Sequence, residues 1–195
     1  MAECKVGIVG VGKMGEYHVG VLSDMREAEL VGIVDSDQKR AKIVSERYKT
    51  SNYKDYKELF KKVDAVVVAV PTSMHYSIGK EFIEAGIHTL LEKPCTDDLR
   101  QAEELFDIAA KKNVTLHIGH VERFNGAVQE LFRIVKDPIY LECRRMGPFA
   151  HRMKDDGVVL DIMIHDIDIV LSLIQSNVTN VNVIGSSVFS GRDDL

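Results

Sequence analysis

Short apolar runs and longer amphipathic stretches alternate along the first 120 residues of the chain. The apolar runs are rich in valine, isoleucine and leucine, and a glycine, aspartate or proline ends most of them. Runs that are apolar on both faces are typical of parallel strands covered by helices. They predict strands at 4–9, 29–35, 64–70, 87–94 and 114–120. The stretches between them predict helices at 12–24, 37–48, 75–86 and 97–113.

This alternation predicts a doubly wound α/β domain over residues 1–120, since right-handed crossovers leave few other topologies. The pattern changes after residue 120. Helices are predicted at 121–136 and 158–174, and strands at 139–149 and 178–190. We therefore expect residues 121–195 to form part of an α+β domain with an open, mostly antiparallel sheet. Because exposed strand edges pair with other chains, we also expect a homo-oligomer.

Composition narrows the classes of function. The chain has 195 residues, is 45% hydrophobic and 28% charged, and carries a net charge of −5. It has no basic block, so a nucleic-acid partner is not expected. No apolar run is long enough for a membrane span, and the N-terminus is typical of a strand. Three separated cysteines without a CxxC pair predict a reducing, cytoplasmic location.

The stretch GVGKMG follows the first predicted strand and opens the first predicted helix. Gly10 permits a tight turn, Gly12 lets the backbone approach a pyrophosphate, and Gly15 lets helix and strand pack closely. The helix N-terminus offers N–H groups and a partial positive charge to phosphate. The sequence therefore predicts a dinucleotide site that includes Lys13 and Met14. The alternative is a plain turn between strand and helix.

Asp35 ends the second predicted strand, about twenty residues after Gly15. A carboxylate at this spacing accepts hydrogen bonds from a ribose 2′-hydroxyl and repels a 2′-phosphate, which favours NAD over NADP. The alternative is an aspartate that caps the following helix. Lys39 and Arg40 lie on that helix and could weaken this preference for NAD, but we interpret them as solvated helix charges.

The segment LDIMIHDIDIVL is strongly apolar but carries Asp161, His165, Asp166 and Asp168. Unpaired charges are costly to bury, so these groups either satisfy one another or serve a site. At 100° per residue, Asp161, His165 and Asp168 fall within about a 60° arc of one helix face. Imidazole suits general acid–base catalysis near neutral pH. The alternative is a core histidine hydrogen-bonded to Asp161 or Asp168.

Three further motifs, VPTSMH (70–75), LEKP (91–94) and GVVLDIMIHDIDIV (157–170), accompany the glycine-rich loop. Together the four resemble the Gfo/Idh/MocA oxidoreductases, the family of glucose–fructose oxidoreductase and inositol dehydrogenase. The resemblance runs from residue 6 to the end of the chain. It implies a Rossmann domain, a second α+β domain, and hydride transfer between a nicotinamide and a sugar or cyclitol hydroxyl. Family members are usually longer, so we expect a fragment or a shortened relative.

The resemblance also implies roles for individual residues. Lys93 would lie in the active site beside the nicotinamide, and Asp161 and His165 would complete that site. We interpret His165 as the general base in oxidation and the general acid in reduction, and Lys93 as the group that holds the substrate oxygen. Asp161 would orient the imidazole or bond a neighbouring hydroxyl. Pro94 would follow a cis peptide bond. The other implied cofactor-binding residues are Val70, Pro71, Thr72, His75 and Glu92.

The stretch HIGHVERFN contains several polar residues at a predicted strand end. The spacing of His117, His120 and Glu122 fits no standard zinc signature, so no metal is expected. We expect His120, Arg123 and Asn125 to contact substrate, with Arg123 suited to an anionic group. The form GHVERFN is similar to that of nucleotide-sugar dehydrogenases within the family.

The leading hypothesis is an NAD-dependent dehydrogenase that acts on a sugar, cyclitol or nucleotide sugar. One alternative is a non-catalytic dinucleotide-binding sensor or regulator. Another is a glycosidase that oxidises and re-reduces its sugar with tightly held NAD. Asp166 and Asp168 are interpreted as a cap, a domain-interface ion pair or a secondary substrate contact. Cys95 is interpreted as a small packed residue rather than a reactive thiol.

Overall fold

The computed structural model describes residues 4–146, 157–174 and 176–188. The chain divides into two compact units, Met1–Gly119 and His120–Leu195. The strands described in the first unit are β1 (Cys4–Val9), β2 (Ala28–Val34), β3 (Ser51–Tyr53), β4 (Ala65–Val68), β5 (His88–Leu91) and β6 (Leu116–Ile118). Its helices are α1 (Lys13–Asp24), α2 (Gln38–Tyr48), α3 (His75–Glu84) and α4 (Leu99–Lys112).

All strands of the first unit belong to one parallel sheet in the order β3-β2-β1-β4-β5-β6. This confirms the predicted doubly wound Rossmann architecture. The strand order reverses between β1 and β4, and ligands of such sheets bind at the carboxyl ends of the strands near that point. Strand β3 was not predicted, because its three residues, SNY, are largely polar and exposed and carry little strand signal.

Two hydrophobic clusters cover the two faces of this sheet. One contains Phe82 of α3 and Leu105 of α4, and the other contains Val19 of α1 and Val44 of α2. All four side chains are buried. Both clusters receive apolar side chains from β1, β2, β4 and β5, which explains the nearly continuous apolar runs of these strands.

Capping residues set the observed helix limits. Asp37 accepts hydrogen bonds from two backbone N–H groups at the start of α2, and Asp98 accepts one at the start of α4. Each helix ends at a left-handed residue, Lys49 with φ 53° and Asn113 with φ 54°. The predicted and observed limits of these helices agree within two residues because such caps are local signals.

The second unit contains two α-helices in its described residues, α5 (Gly126–Ile134) and α6 (Ile164–Leu173). The predicted helix at 121–136 is interrupted: Val121–Phe124 form a 3₁₀ turn, and the Asn125 side chain then caps α5 by accepting the Ala127 N–H at 3.0 Å. The predicted helix at 158–174 starts with a π-helical stretch, Val159–Met163, which runs directly into α6.

The predicted antiparallel sheet is not present in the described residues of the second unit. Residues 139–146 and 176–188 have irregular structure, whereas the rest of both predicted strands, 147–149 and 189–190, lies outside the described residues. Alternation determines which side chains share a face, but a strand also needs a hydrogen-bonded neighbour. None of the helices in the described ranges is long and apolar enough to cross a membrane.

Candidate functional site

The loop between β1 and α1 has no room for side chains at two of its glycines. Gly10 has φ +86°, and a Cβ built there would lie 2.4 Å from the Ala69 carbonyl oxygen. A Cβ on Gly15 would lie 1.9 Å from the Gly10 carbonyl oxygen. At Gly12, by contrast, no described atom lies within 4 Å of an added Cβ. The loop is therefore closely packed on its protein side and open at Gly12, which suits the approach of a ligand to the backbone.

The first turn of α1 begins at this open position. Gly12 precedes the helix, and no side chain among the described residues caps it. The side chains of Lys13 and Met14 are exposed in the same turn. Uncapped N–H groups at a helix N-terminus attract anions, so this turn can receive a phosphate group.

Asp35 follows β2 and is only 5% exposed. Its Oδ2 accepts the Val11 N–H at 2.7 Å, and its Oδ1 accepts the Asp37 N–H at 2.8 Å. The Arg40 guanidinium donates to both oxygens, through Nε at 3.1 Å and Nη2 at 2.8 Å. The Arg40 side chain is 45% exposed, as expected for a solvated helix charge, but it also forms an ion pair with Asp35 that was not predicted. Residues five positions apart across a strand-to-helix turn come into contact there.

These contacts control the ionisation of Asp35. Burial acts to raise the pKa of its carboxyl group, but the hydrogen bonds from Arg40, Val11 and Asp37 outweigh burial and hold the pKa below 3.8. Asp35 therefore remains charged well into the acidic range. An incoming ribose hydroxyl finds an ionised acceptor that already has donors on both oxygens.

The segment after β4 carries several of the predicted cofactor residues. Pro71 is exposed, and Thr72 starts a 3₁₀ turn that leads directly into α3. His75, the first residue of α3, is only 1% exposed. Its Nδ1 lies 2.7 Å from the Pro94 carbonyl oxygen and its Nε2 lies 2.9 Å from the Val70 carbonyl oxygen. Its ring is thus directed at the protein backbone.

The segment after β5 contains Lys93, which is half-buried. Glu92 is 6% exposed, and its Oε1 lies 2.6 Å from Nε2 of His18 on α1. Its Oε2 accepts the backbone N–H of Lys93 at 3.3 Å. The Lys93–Pro94 peptide bond is cis, which confirms the expectation from the resemblance.

Cys95 comes directly after this segment and packs against the larger hydrophobic cluster. Burial raises the pKa of its thiol, so the neutral form is favoured. This supports the interpretation of Cys95 as a small packed residue.

In the second unit, Asp161 lies in the π-helical stretch and His165 in the first turn of α6. Both are half-buried. A π-helix has more residues per turn than an α-helix, so the angle predicted between Asp161 and the α6 residues at 100° per residue does not apply. The π-helix was not predicted, because its apolar pattern resembles that of an α-helix.

Two arginines bind the remaining carboxylates of this helix. Arg123 donates to Asp168 through Nε at 2.7 Å and Nη2 at 2.5 Å. Arg145 donates to Asp166 through Nε at 3.1 Å and Nη2 at 2.9 Å. Asp166 and Asp168 thus form ion pairs, but each pair joins residues of the second unit and is not the domain-interface pair that was predicted. The hydrogen bonds from Arg123 outweigh burial and lower the pKa of Asp168.

The other predicted substrate residues of the second unit lie near the first of these pairs in sequence. His120 Nδ1 lies 3.9 Å from Asp168 Oδ2, which is within ion-pair range if the ring is protonated. Asn125 caps α5 and donates to Glu122 Oε2 at 3.1 Å. Among the residues that the structure describes, no group of three or more histidine, cysteine or acidic side chains is placed to hold a metal ion.

Nothing in the sequence indicated that His18 lies beside the segment after β5 in the first unit. It contacts Glu92 across 74 positions of sequence, so no local spacing relates the two. Arg145 was not predicted either, because its partner Asp166 lies 21 positions away. The contact of Arg40 with Asp35 was also missed, although here a local signal existed. Arg40 lies near the start of α2, only five residues after Asp35.

Comparison with known proteins adds to this geometry. Residues 4–120 match the family described as Gfo/Idh/MocA, an oxidoreductase family with an NAD-binding Rossmann fold. The chain belongs to this family. The match spans every strand of the sheet described above, together with the glycine-rich loop, Asp35 and Lys93. NAD is accordingly the cofactor of the family's Rossmann fold.

Individual relatives agree with this assignment. UDP-N-acetylglucosamine 3-dehydrogenase from Acidithiobacillus ferrooxidans is 32% identical over all of the chain and 62% of the relative. A solved structure of that enzyme superimposes with a TM-score of 0.93, covering 100% of this chain and 64% of that one. The scyllo-inositol 2-dehydrogenase (NAD(+)) of Bacillus subtilis is 27% identical, over 92% of this chain and 56% of the relative.

A further solved structure shows the fold with its cofactor. GenD2 from gentamicin A biosynthesis, in complex with NAD, superimposes with a TM-score of 0.80 at 23% identity. It is matched over 89% of this chain and 54% of its own. The family member described here therefore spans roughly three fifths of the lengths of the relatives it matches.

Proposed function

We propose that this chain carries the cofactor-binding part and the reacting side chains of an NAD-dependent dehydrogenase that acts on a sugar-like hydroxyl group. The observation that carries the proposal is the juxtaposition of strand-end groups in the first unit. A glycine-rich loop open at Gly12, the ionised Asp35 and the half-buried Lys93 all follow carboxyl ends of strands in one parallel sheet. Cofactors bind at this edge in doubly wound sheets.

The described residues fit NAD. Gly10 and Gly15 leave no space for side chains on the protein side of the loop, whereas Gly12 is open toward the helix N-terminus. These features suit a pyrophosphate, and Asp35 suits the ribose 2′-hydroxyl. The backbone of Glu92, together with groups of Val70, Pro71 and Thr72, would complete this surface. When bound, NAD supplies the hydride acceptor.

The reacting side chains are assigned from their chemistry. Lys93 would hold the substrate oxygen and stabilise negative charge that develops on it. His165 would remove the hydroxyl proton during oxidation and return it during reduction. Asp161 would orient the imidazole. His120, Arg123 and Asn125 would contact the substrate, and an anionic substrate group would have to compete with Asp168 for Arg123.

The substrate class is proposed from relatives. The similar enzyme from A. ferrooxidans is named for UDP-N-acetylglucosamine, and others are named for inositols. We favour a nucleotide sugar, then a free sugar or cyclitol. We further propose that residues 1–120 bind NAD, that residues 121–195 take part in substrate binding and oligomerisation, and that the protein is cytoplasmic and homo-oligomeric.

A titration followed by nicotinamide fluorescence tests the cofactor proposal. We expect NADH to bind more tightly than NADPH, because Asp35 is ionised and repels a 2′-phosphate. Turnover is then measured with nucleotide sugars, free sugars and inositols. Binding without any turnover would favour a sensor or regulator, whereas turnover without net NADH change would favour the glycosidase mechanism.

Two substitutions test the assigned side chains. We expect Lys93→Met and His165→Asn each to lower kcat by about 10²-fold or more, the typical contribution of a general acid–base group. The matched controls are Lys111→Met, an exposed lysine of α4, and His117→Asn, an exposed histidine of β6. If Lys93→Met and His165→Asn turn over like the unsubstituted protein, the roles assigned to them are wrong.

A further inference from the structure

Two histidines lie on either side of the segment formed by Glu92, Lys93 and Pro94, here called the 92–94 segment. His18 reaches it from α1 and contacts the side chain of Glu92 at 2.6 Å. His75 reaches it from α3 and contacts the carbonyl oxygen of Pro94 at 2.7 Å. The two contacts thus flank Lys93 in sequence, one before it and one after it.

The side chain of Glu92 is restricted on more than one side. Its Oε1 is bound by His18, and its Oε2 accepts the backbone N–H of Lys93. A Cβ on Gly119, which follows β6, would come within 3.1 Å of all three carboxyl-group atoms of Glu92. Glu92 therefore fills the space beside Gly119 and has little freedom to move. Because its carboxylate also holds the Lys93 N–H, a displacement of Glu92 would be transmitted to the backbone of Lys93.

His75 joins the 92–94 segment to the strand end on its other side. Its Nδ1 faces the Pro94 carbonyl oxygen, and its Nε2 faces the Val70 carbonyl oxygen. Both partners can only accept hydrogen bonds, so a neutral ring, which carries one N–H, donates to one of them at a time. An amide side chain can replace one ring nitrogen at a time as a donor: asparagine places its amide near the Nδ1 position, and glutamine near the Nε2 position. The two contacts of His75 can therefore be removed separately.

We propose that His18 and His75 are positioning residues for Lys93. His18 does so through Glu92, and His75 through Pro94, while the second contact of His75 positions the Val70 backbone. The inference rests on the proposed function for the catalytic role of Lys93, but the positioning itself is a property of the first unit. It predicts that the two histidines affect turnover without touching the substrate.

Kinetics separate the three contacts. We expect His18→Leu to lower kcat by about 10- to 100-fold, the effect of misplacing a catalytic group by up to about 1 Å, and to change the NADH Kd by less than about threefold. His18→Gln keeps a donor toward Glu92 and should restore most of the lost kcat. His75→Gln should lower kcat with little change in the NADH Kd, whereas His75→Asn should weaken NADH binding and retain kcat.

The matched control is His117→Gln, which replaces an exposed histidine of the same sheet and should change neither quantity. Equal kcat values for His18→Leu and the unsubstituted protein would overturn the proposal, as would identical behaviour of the two His75 variants. If His18→Leu does not fold, Gly119→Ala provides a second route. It forces Glu92 to shift while His18 is retained, and it should lower kcat in the same way.

A spectroscopic measurement decides the inference even if the chain shows no turnover. The lysines are reductively methylated with ¹³C-formaldehyde, and their methyl groups are observed by ¹H–¹³C NMR. The Lys93 methyl signal is assigned by its loss in Lys93→Arg. We expect the chemical shift of this signal to change in His18→Leu and His75→Gln, and to stay the same in His18→Gln and His117→Gln. An unmoved Lys93 signal in His18→Leu would overturn the positioning role. If the unsubstituted chain shows no turnover but the Lys93 chemical shift changes in His18→Leu, only the proposed function is overturned.

Discussion

The two units hold their polar groups in different ways. In the first, Asp35, Glu92 and His75 are almost fully buried, and backbone groups at strand ends supply many of their hydrogen-bond partners. In the second, Asp166 and Asp168 are held by arginine side chains that are 37% and 49% exposed. Buried backbone contacts persist in salt, whereas exposed ion pairs are screened. The contacts that hold the polar groups of the first unit should therefore depend less on salt than those of the second.

The largest expected effect comes from the glycines of the first unit. Gly15→Ala would place a Cβ 1.9 Å from the Gly10 carbonyl oxygen, so the loop or helix must move. We expect the free energy of unfolding to fall by about 3 kcal/mol or more, as for other severe steric clashes. Gly12→Ala is the matched variant, since its Cβ meets no described atom within 4 Å.

For Gly12→Ala we expect little loss of stability but at least about a tenfold weaker NADH affinity, because the added methyl group occupies space that a pyrophosphate needs. Urea unfolding and NADH titration measure the two quantities. If both variants lose stability equally, the contrast drawn between the closed and the open side of the loop is wrong.

The second effect concerns Asp35. We expect Asp35→Asn to reduce the free energy of unfolding at pH 7 by about 1.5–3 kcal/mol, because an ionised hydrogen-bond acceptor is lost. The pKa of Asp35 is lowered on folding, so its charge contributes stability above pH 3.8, and this is lost as the pH falls through the lower folded value. Urea unfolding is measured between about pH 2 and pH 7. At the acidic end of this range, the free energy of unfolding should depend less on pH in Asp35→Asn than in the unsubstituted protein. The same pH dependence in both proteins would contradict the role given to the Asp35 charge.

The next effect concerns Arg40, which is bound to Asp35 and can influence the preference between NADH and NADPH. Since its guanidinium is the cation bound to Asp35, we expect Arg40→Ala to weaken NADPH binding by several-fold, about 1 kcal/mol, while NADH binding changes by less. Lys39→Ala, on the same helix turn, should leave the ratio of the two affinities unchanged. Fluorescence titration with both nucleotides measures the ratio, and an equal effect of both substitutions would show that only general positive charge matters.

The smallest effects are expected from the ion pairs of the second unit. Arg123→Gln should lower stability by about 1 kcal/mol, because Asp168 is mostly buried, and the loss should shrink in high salt. Arg133→Gln breaks an exposed pair with Glu130 and should cost about 0–0.5 kcal/mol. Thermal unfolding at two salt concentrations compares them. An effect of Arg123→Gln that is independent of salt would remove the distinction between the two units.

Much of the first unit was predictable because its signals are local. The apolar runs gave five of the strands, proline and glycine marked their ends, and the spacing of Gly15 and Asp35 indicated a dinucleotide site. In contrast, the three-residue strand β3 was missed because its pairing with β2 carries no pattern of its own. In the second unit, alternation at 139–146 and 178–188 predicted strands that the described residues do not form, because alternation specifies a face but supplies no partner.

The sequence by itself determined the class of the fold and the chemical type of each candidate group, because periodicity, turn residues and titratable side chains are properties of short segments. Only the tertiary structure decided which groups meet. The contact of His18 with Glu92, the two contacts of His75, and the arginine that binds Asp166 all join residues from separate elements. Their distances depend on how strands and helices pack, and no local pattern in the chain records that packing.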